Sequence, residues 1–133
     1  MKMSRRILIE WNMPDGLPAV TTDQSAPIEI DEEMLRDLVV DALEDLKARD
    51  VKVLDVRHLT TITDYMIIAS GTSDRHVRSV ADRVIERAGE AGLKPYGVEG
   101  EEKGDWILVD LQDALVHVMQ PETRDFYNLE KLW

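Results

Sequence analysis

Hydrophobic and polar positions recur with clear periods over most of the chain. Between residues 32 and 49, Met34, Leu35, Leu38, Val39, Ala42, Leu43 and Leu46 return at three- and four-residue steps, which predicts an amphipathic helix. Asp31 stands where an N-cap belongs. Glu32 and Glu33 suit the positive end of the helix dipole, and Lys47 and Arg49 the negative end. Residues 51–56, with Val51, Val53 and Leu54, predict a strand. Tyr65-Met66-Ile67-Ile68-Ala69 is an unbroken apolar run and predicts an inner strand buried on both faces.

A second helix is predicted over 74–91. Its apolar stripe is Val77, Val80, Ala81, Val84, Ile85 and Ala88, its other side is charged, and Gly92 supplies a stop. Residues 95–98 predict a short strand, at an edge because it starts with Pro95. Trp106-Ile107-Leu108-Val109-Asp110 and Ala114-Leu115-Val116-His117-Val118-Met119 flank Leu111-Gln112-Asp113 and predict an antiparallel hairpin. Pro121 suits a first helical position and opens a short final helix. The order α-β-β-α-β-β-β-α predicts an α/β fold, a mixed sheet of about five strands flanked by helices.

Residues 1–30 follow a different pattern. Ile7, Leu8, Ile9 and Trp11 make one short apolar run, and Pro14, Asp15, Gly16, Pro18 and Pro27 are breakers. The chain is therefore read as a flexible N-terminal extension, 1–30, joined to a single domain, 31–133. A sharper reading makes the extension an edge strand or a peptide that docks a partner.

Composition and charge narrow the function. The absence of cysteine excludes disulfides and thiolate metal sites and fits a reducing, cytoplasmic setting. No apolar run is long enough to cross a bilayer, so no membrane partner is expected. Lys2, Arg5 and Arg6 adjoin no apolar stretch of secretion-signal length, and Glu10 and Asp15 argue against a transit peptide. The net charge of −11 opposes phosphate backbones, so direct DNA or RNA binding is disfavoured and a basic protein partner is favoured.

Candidate chemistry is sparse. Ser70-Gly71-Thr72-Ser73 before a helix fits an anion site, or simply a tight turn with Ser73 or Thr72 as N-cap. It lacks the Gly-Lys-Ser/Thr of a phosphate-binding loop. A nucleotidyltransferase needs clustered carboxylates to hold metal ions. No Asp-x-Asp pair occurs, and Asp55, Asp64, Glu99 and Asp110 would meet only through the fold. His58, His76 and His117 have no zinc-binding spacing, so no metal or cofactor is expected. His117 among Val116, Val118 and Met119 reads as a core or interface group rather than a base. Trp106, Tyr127 and Trp133, with Arg124, are residue types that dominate protein–protein hot spots. For Phe126 and Trp133 a place in the core is an equal alternative.

The sequence resembles the ribosomal silencing factor family, also called Iojap, from about residue 34 to 133. The resemblance rests on Ala42-Leu43-Glu44-Asp45-Leu46-Lys47, Leu54-Asp55-Val56, Thr63-Asp64-Tyr65-Met66-Ile67-Ile68 and Gly71-Thr72-Ser73. It continues through Arg75-His76-Val77, Gly97-Val98-Glu99-Gly100, Asp105-Trp106-Ile107, Val116-His117-Val118-Met119 and Arg124-x-x-Tyr127-x-Leu129-Glu130-x-Leu132-Trp133. It implies a nucleotidyltransferase-like fold without that activity. It also implies binding to protein fourteen of the large ribosomal subunit, and a steric block to subunit joining when nutrients are scarce. Homodimers of the free protein are implied as well. By the same resemblance Trp106, Tyr127 and Glu130 are the leading contact residues, followed by Asp110 and His117. The competing reading is a nucleotidyltransferase-like enzyme that uses a metal and a nucleotide. A tight carboxylate cluster beside residues 70–73 would favour the enzyme, and a flat aromatic and acidic patch the ribosome-binding factor.

Overall fold

The structure, a computed structural model, describes residues 30–133. The expectations for the extension therefore lie outside the described residues, apart from its last position, Ile30, which packs on the core. In chain order the elements are α1 (Glu32–Asp45), β1 (Arg49–Asp55), β2 (Tyr65–Ser70), α2 (Asp74–Glu90), β3 (Gly97–Glu99), β4 (Trp106–Asp110), β5 (Ala114–Met119) and α3 (Pro121–Tyr127), followed by a 3-10 turn (Leu129–Leu132). They form the expected α/β fold with a five-stranded mixed sheet in the order β1-β2-β5-β4-β3. Strands β2 and β5 are parallel, and the other neighbours are antiparallel.

The caps explain where the helices begin and end. Asp31 accepts from the Met34 N–H at 2.8 Å and starts α1. The helix was expected to reach Arg49 but stops at Asp45. Lys47 takes a left-handed conformation (φ 59°), and its N–H and that of Ala48 bond back to the carbonyls of Glu44 and Leu43. That is a Schellman ending with lysine in the position usually held by glycine. Arg49 consequently opens β1 instead of closing the helix, and a bulge lies between Arg49 and Lys52. Ser73 caps α2 by accepting from the His76 N–H at 3.1 Å, and Gly92 (φ 88°) ends it as predicted. The edge strand β3 starts at Gly97, two residues later than expected, since Pro95 has no N–H to give a ladder.

Helices α1 and α2 cover one sheet face. Leu35, Val39, Ala42 and Leu43 from α1, with Val77, Val80, Ala81, Val84 and Ala88 from α2, meet Ile67, Ala69, Ile107, Val109, Val116 and Val118. Each fully buried valine, leucine or isoleucine among them contributes roughly 1.5–3 kcal/mol. Met34 falls outside that stripe and is exposed. Strand β2 is buried on both faces, as its unbroken apolar run predicts. On the opposite face only α3 and the 3-10 turn pack among the described residues, where Leu129 joins a small cluster of Val56, Met66, Ile68 and Met119.

Candidate functional site

The second sheet face follows directly from strand alternation. Residues Trp106, Leu108 and Asp110 of β4 project from it, paired in register with Met119, His117 and Leu115 of β5. Strand β2 continues the rows with Ser70, Ile68 and Met66. Leu54, Leu108, Leu115 and Trp106 are only half-buried, so apolar surface remains open there.

At one end of that face Trp106 holds two neighbours. Its indole N–H donates to Nδ1 of His117 at 3.0 Å. Its ring lies 4.9 Å from that of Tyr127, which in turn meets Phe126 edge-on at 5.0 Å. His117 is 6% exposed, and burial pulls its pKa down to about 4. Since Nδ1 accepts from the indole, the neutral imidazole carries its proton on Nε2, which is buried without a hydrogen-bond partner. His117 thus acts as a neutral acceptor that fixes the tilt of Trp106.

The turn before β4 is fixed just as firmly. Gly100 has φ +91°, and a Cβ there would fall 1.9 Å from the Trp106 carbonyl oxygen, so only glycine lets the turn lie against the strand. Arg78 of α2 donates to the carbonyls of Glu101 (2.9 Å) and Glu102 (2.6 Å) and to the Asp74 carboxylate (2.8 Å). The result is a shallow groove of about 350 Å³, lined by Glu99, Gly100, Asp105, Trp106, Leu108 and Tyr127.

The sequence-predicted residues divide into three groups. Trp106 and Tyr127 come together at the groove, and Tyr127 is half-exposed. Arg124 and Glu130 form a tie beneath the C-terminal segment. Arg124 is 7% exposed and donates to the Ser70 hydroxyl (2.8 Å) and to Glu130 (2.9 Å), so its guanidinium is structural rather than open. Glu130 also lies 3.8 Å from Lys52. Asp110 shares the open face but sits at the far end of β4, where it accepts from the Gln112 N–H at 2.8 Å and shapes the hairpin turn. Phe126 and Trp133 are both exposed at the surface. Sequence reasoning passed over Leu108, Leu115 and Asp105 as site residues. The alternation of 106, 108 and 110 was the signal for Leu108.

The carboxylates required for metal-dependent transfer do not converge. Asp55 and Asp110 lie on strands three places apart in the sheet, about 14 Å by strand spacing. Glu99 pairs with Leu108, whereas Asp110 pairs with Gly97 at the other end of the ladder. Arg57 pulls the Asp55 carboxyl down to about 2. Among the described residues no three His, Asp or Glu side chains form a metal-binding group. Ser70 is engaged by Arg124 and Ser73 by the α2 cap, while Nδ1 of His76 accepts from the Thr72 N–H at 2.9 Å.

Fold and site together define a small α/β domain with one helix-covered sheet face and one open face bearing an aromatic and acidic groove. The chain belongs to the ribosomal silencing factor family: the model of the family described as "Ribosomal silencing factor during starvation" matches residues 29–133. A ribosomal silencing factor of Haemophilus influenzae is 46% identical over 99 residues, 74% of this chain and 97% of that one. The mouse protein named mitochondrial assembly of ribosomal large subunit protein 1 is 38% identical over 100 residues, 73% of this chain and 44% of that one. A crystal structure of a Chromobacterium violaceum protein superposes with a TM-score of 0.77 at 42% identity, covering 78% of this chain and 87% of that one. Family membership assigns the chain a ribosome-associated silencing role in the regulation of translation. No helix among the described residues is long and apolar enough to cross a membrane.

Proposed function

We propose that this protein binds the large ribosomal subunit through its protein fourteen and sterically blocks joining of the small subunit when nutrients are scarce. The observation that carries the reading is the groove. It combines two aromatic rings, half-buried Leu108 and the carboxylates Glu99 and Asp105 on a face that no long helix covers. Aromatic anchors contribute burial, and carboxylates select a basic partner and speed its approach. Ribosomal proteins are commonly basic, which matches that chemistry. The choice of protein fourteen rests on the family resemblance. In this reading the protein works in the cytoplasm as a binding factor, without catalysis, metal or cofactor, and touches neither DNA nor membrane. A homodimer of the free protein, also implied by the resemblance, would have to open before the same face could meet the subunit.

Co-sedimentation with separated subunits tests the proposal. The protein should travel with the large subunit alone, and less of it as salt rises, because screening acts at about 10 Å in 0.1 M salt. Migration with the small subunit only, or with neither, would overturn the assignment.

A further inference from the structure

We propose that Arg78 is the positioning residue of the groove: from α2 it locks the turn that carries both groove carboxylates, and so holds the site in its binding shape before a partner arrives. Residues 100–105 connect β3 to β4, and Glu99 and Asp105 stand at the two ends of that connection beside Trp106. Among the described residues no hydrogen bond or ion pair engages either carboxylate, so the course of the backbone alone places them. Strand β3 is a three-residue edge strand, and few ladder bonds hold the turn.

Arg78 supplies what the ladder lacks. Its Nε donates to the Glu101 carbonyl at 2.9 Å, Nη2 to the Glu102 carbonyl at 2.6 Å and Nη1 to the Asp74 carboxylate at 2.8 Å. A planar guanidinium offers such a fork, and an ammonium does not. With both carbonyls turned toward α2, the side chains of Glu101 and Glu102 are left in solvent. The turn also lies close against the helix. A Cβ at Gly104 (φ +72°) would stand 3.0 Å from Cβ of Asp74 and 3.1 Å from Cζ of Arg78. From the other side Gln120 donates its side-chain amide to the Gly104 carbonyl (3.1 Å) and its backbone N–H to the Asp105 carbonyl (2.9 Å). Within the turn the Gly104 N–H reaches the Gly100 carbonyl at 3.0 Å.

A turn that is already ordered spares a partner the cost of ordering it. A turn in its binding shape only part of the time lowers the apparent affinity by that fraction. The loss falls on association, because the bound state is the same. This consequence rests on the ribosome-binding reading above, whereas the lock itself is a property of the free protein. Charge alone predicts the opposite result. Arg78→Met removes a cation from a protein of net charge −11 and frees the Asp74 carboxylate, which would speed the approach of a basic partner.

Two measurements on the full-length Arg78→Met variant, first shown to melt like the parent, test the proposal. In hydrogen exchange the Gly104 amide should lose at least roughly tenfold in protection with the charge-assisted bonds, while the amides of Val80 and Val84 in α2 keep theirs. On immobilised large subunits association should slow at least roughly tenfold, with dissociation unchanged. Arg78→Lys, which keeps the charge without the fork, should behave like Arg78→Met in both. Unchanged exchange at Gly104 overturns the proposal. So does association as fast as the parent's or faster, and so does faster dissociation alone, which would make Arg78 a contact residue. If the parent itself binds no large subunit, the ribosome-binding reading falls, and the exchange at Gly104 still decides for or against the lock.

Discussion

Replacing His117 by Asn should remove a specific part of the protein's acid sensitivity. Asn keeps an acceptor for the Trp106 indole N–H but does not titrate. In the folded protein His117 stays neutral down to about pH 4, whereas the ordinary value is 6.5. Between those two pH values the unfolded chain binds a proton that the folded chain does not, so stability falls as pH falls. Above pH 6.5 the residue costs nothing, and below about 4 both states are protonated and the loss is complete. At about 1.4 kcal/mol per pH unit, the interval corresponds to ~3 kcal/mol. Out of a typical ~5–15 kcal/mol for a domain, that is a large share. Urea titrations of the parent and the Asn variant at pH 7 and pH 4 measure it. Carboxylates titrate in both proteins and cancel in the comparison. The parent should lose ~3 kcal/mol more than the variant. Parallel losses, or an imidazole carbon shift that titrates near 6.5, would refute the buried neutral acceptor and the account of how Trp106 is held.

Arg124→Met should destabilise the fold by ~2–3 kcal/mol in denaturant titrations, since it strips Ser70 and Glu130 of their shared partner while Lys52 relieves part of the deficit at Glu130. A change within ~0.5 kcal/mol, the usual range for a surface site, would contradict the tie. Gly100→Ala should cost more than the ~1 kcal/mol of an ordinary glycine replacement, because its Cβ meets backbone and its φ is left-handed; unchanged melting would mean the turn can rotate. With any nucleoside triphosphate and magnesium or manganese we expect no nucleotidyl transfer, and labelled product abolished by Asp110→Ala would reopen the enzyme reading.

Much of the fold can be read from local pattern. Val77 to Ala88 and Leu35 to Leu43 mark helix faces, Asp31 and Ser73 their starts, and the hairpin of β4 and β5 its own alternation. The misread boundaries come from competition that a single stretch does not reveal. Lys47 takes a left-handed stop that favours glycine because the next strand, starting at Arg49, is already bound to Ser70. The site was less legible. Arg124 reads as an exposed hot-spot cation, but its partner Ser70 lies 54 positions earlier and draws it inward. Leu108 and Leu115 read only as apolar positions of a hairpin, because nothing local says which sheet face the helices will leave open. That choice depends on where α1 and α2 pack, and hence on the topology of the whole sheet.

The central claim is that the groove at Trp106 and Tyr127 meets the large subunit and keeps the small subunit away. Tyr127→Ala probes it most cleanly, because Tyr127 is 52% exposed and its hydroxyl makes no hydrogen bond to the described residues, whereas Trp106→Ala would also strand His117. The measurement is light scattering during subunit joining, with the protein added to the large subunit first. The parent should suppress the rise in scattering. Tyr127→Ala, melting like the parent, should need at least roughly thirtyfold more protein for the same suppression, the equivalent of a ~2 kcal/mol hot spot. Equal suppression by the well-folded variant would contradict the placement of the site, and no suppression by the parent would contradict the mechanism itself.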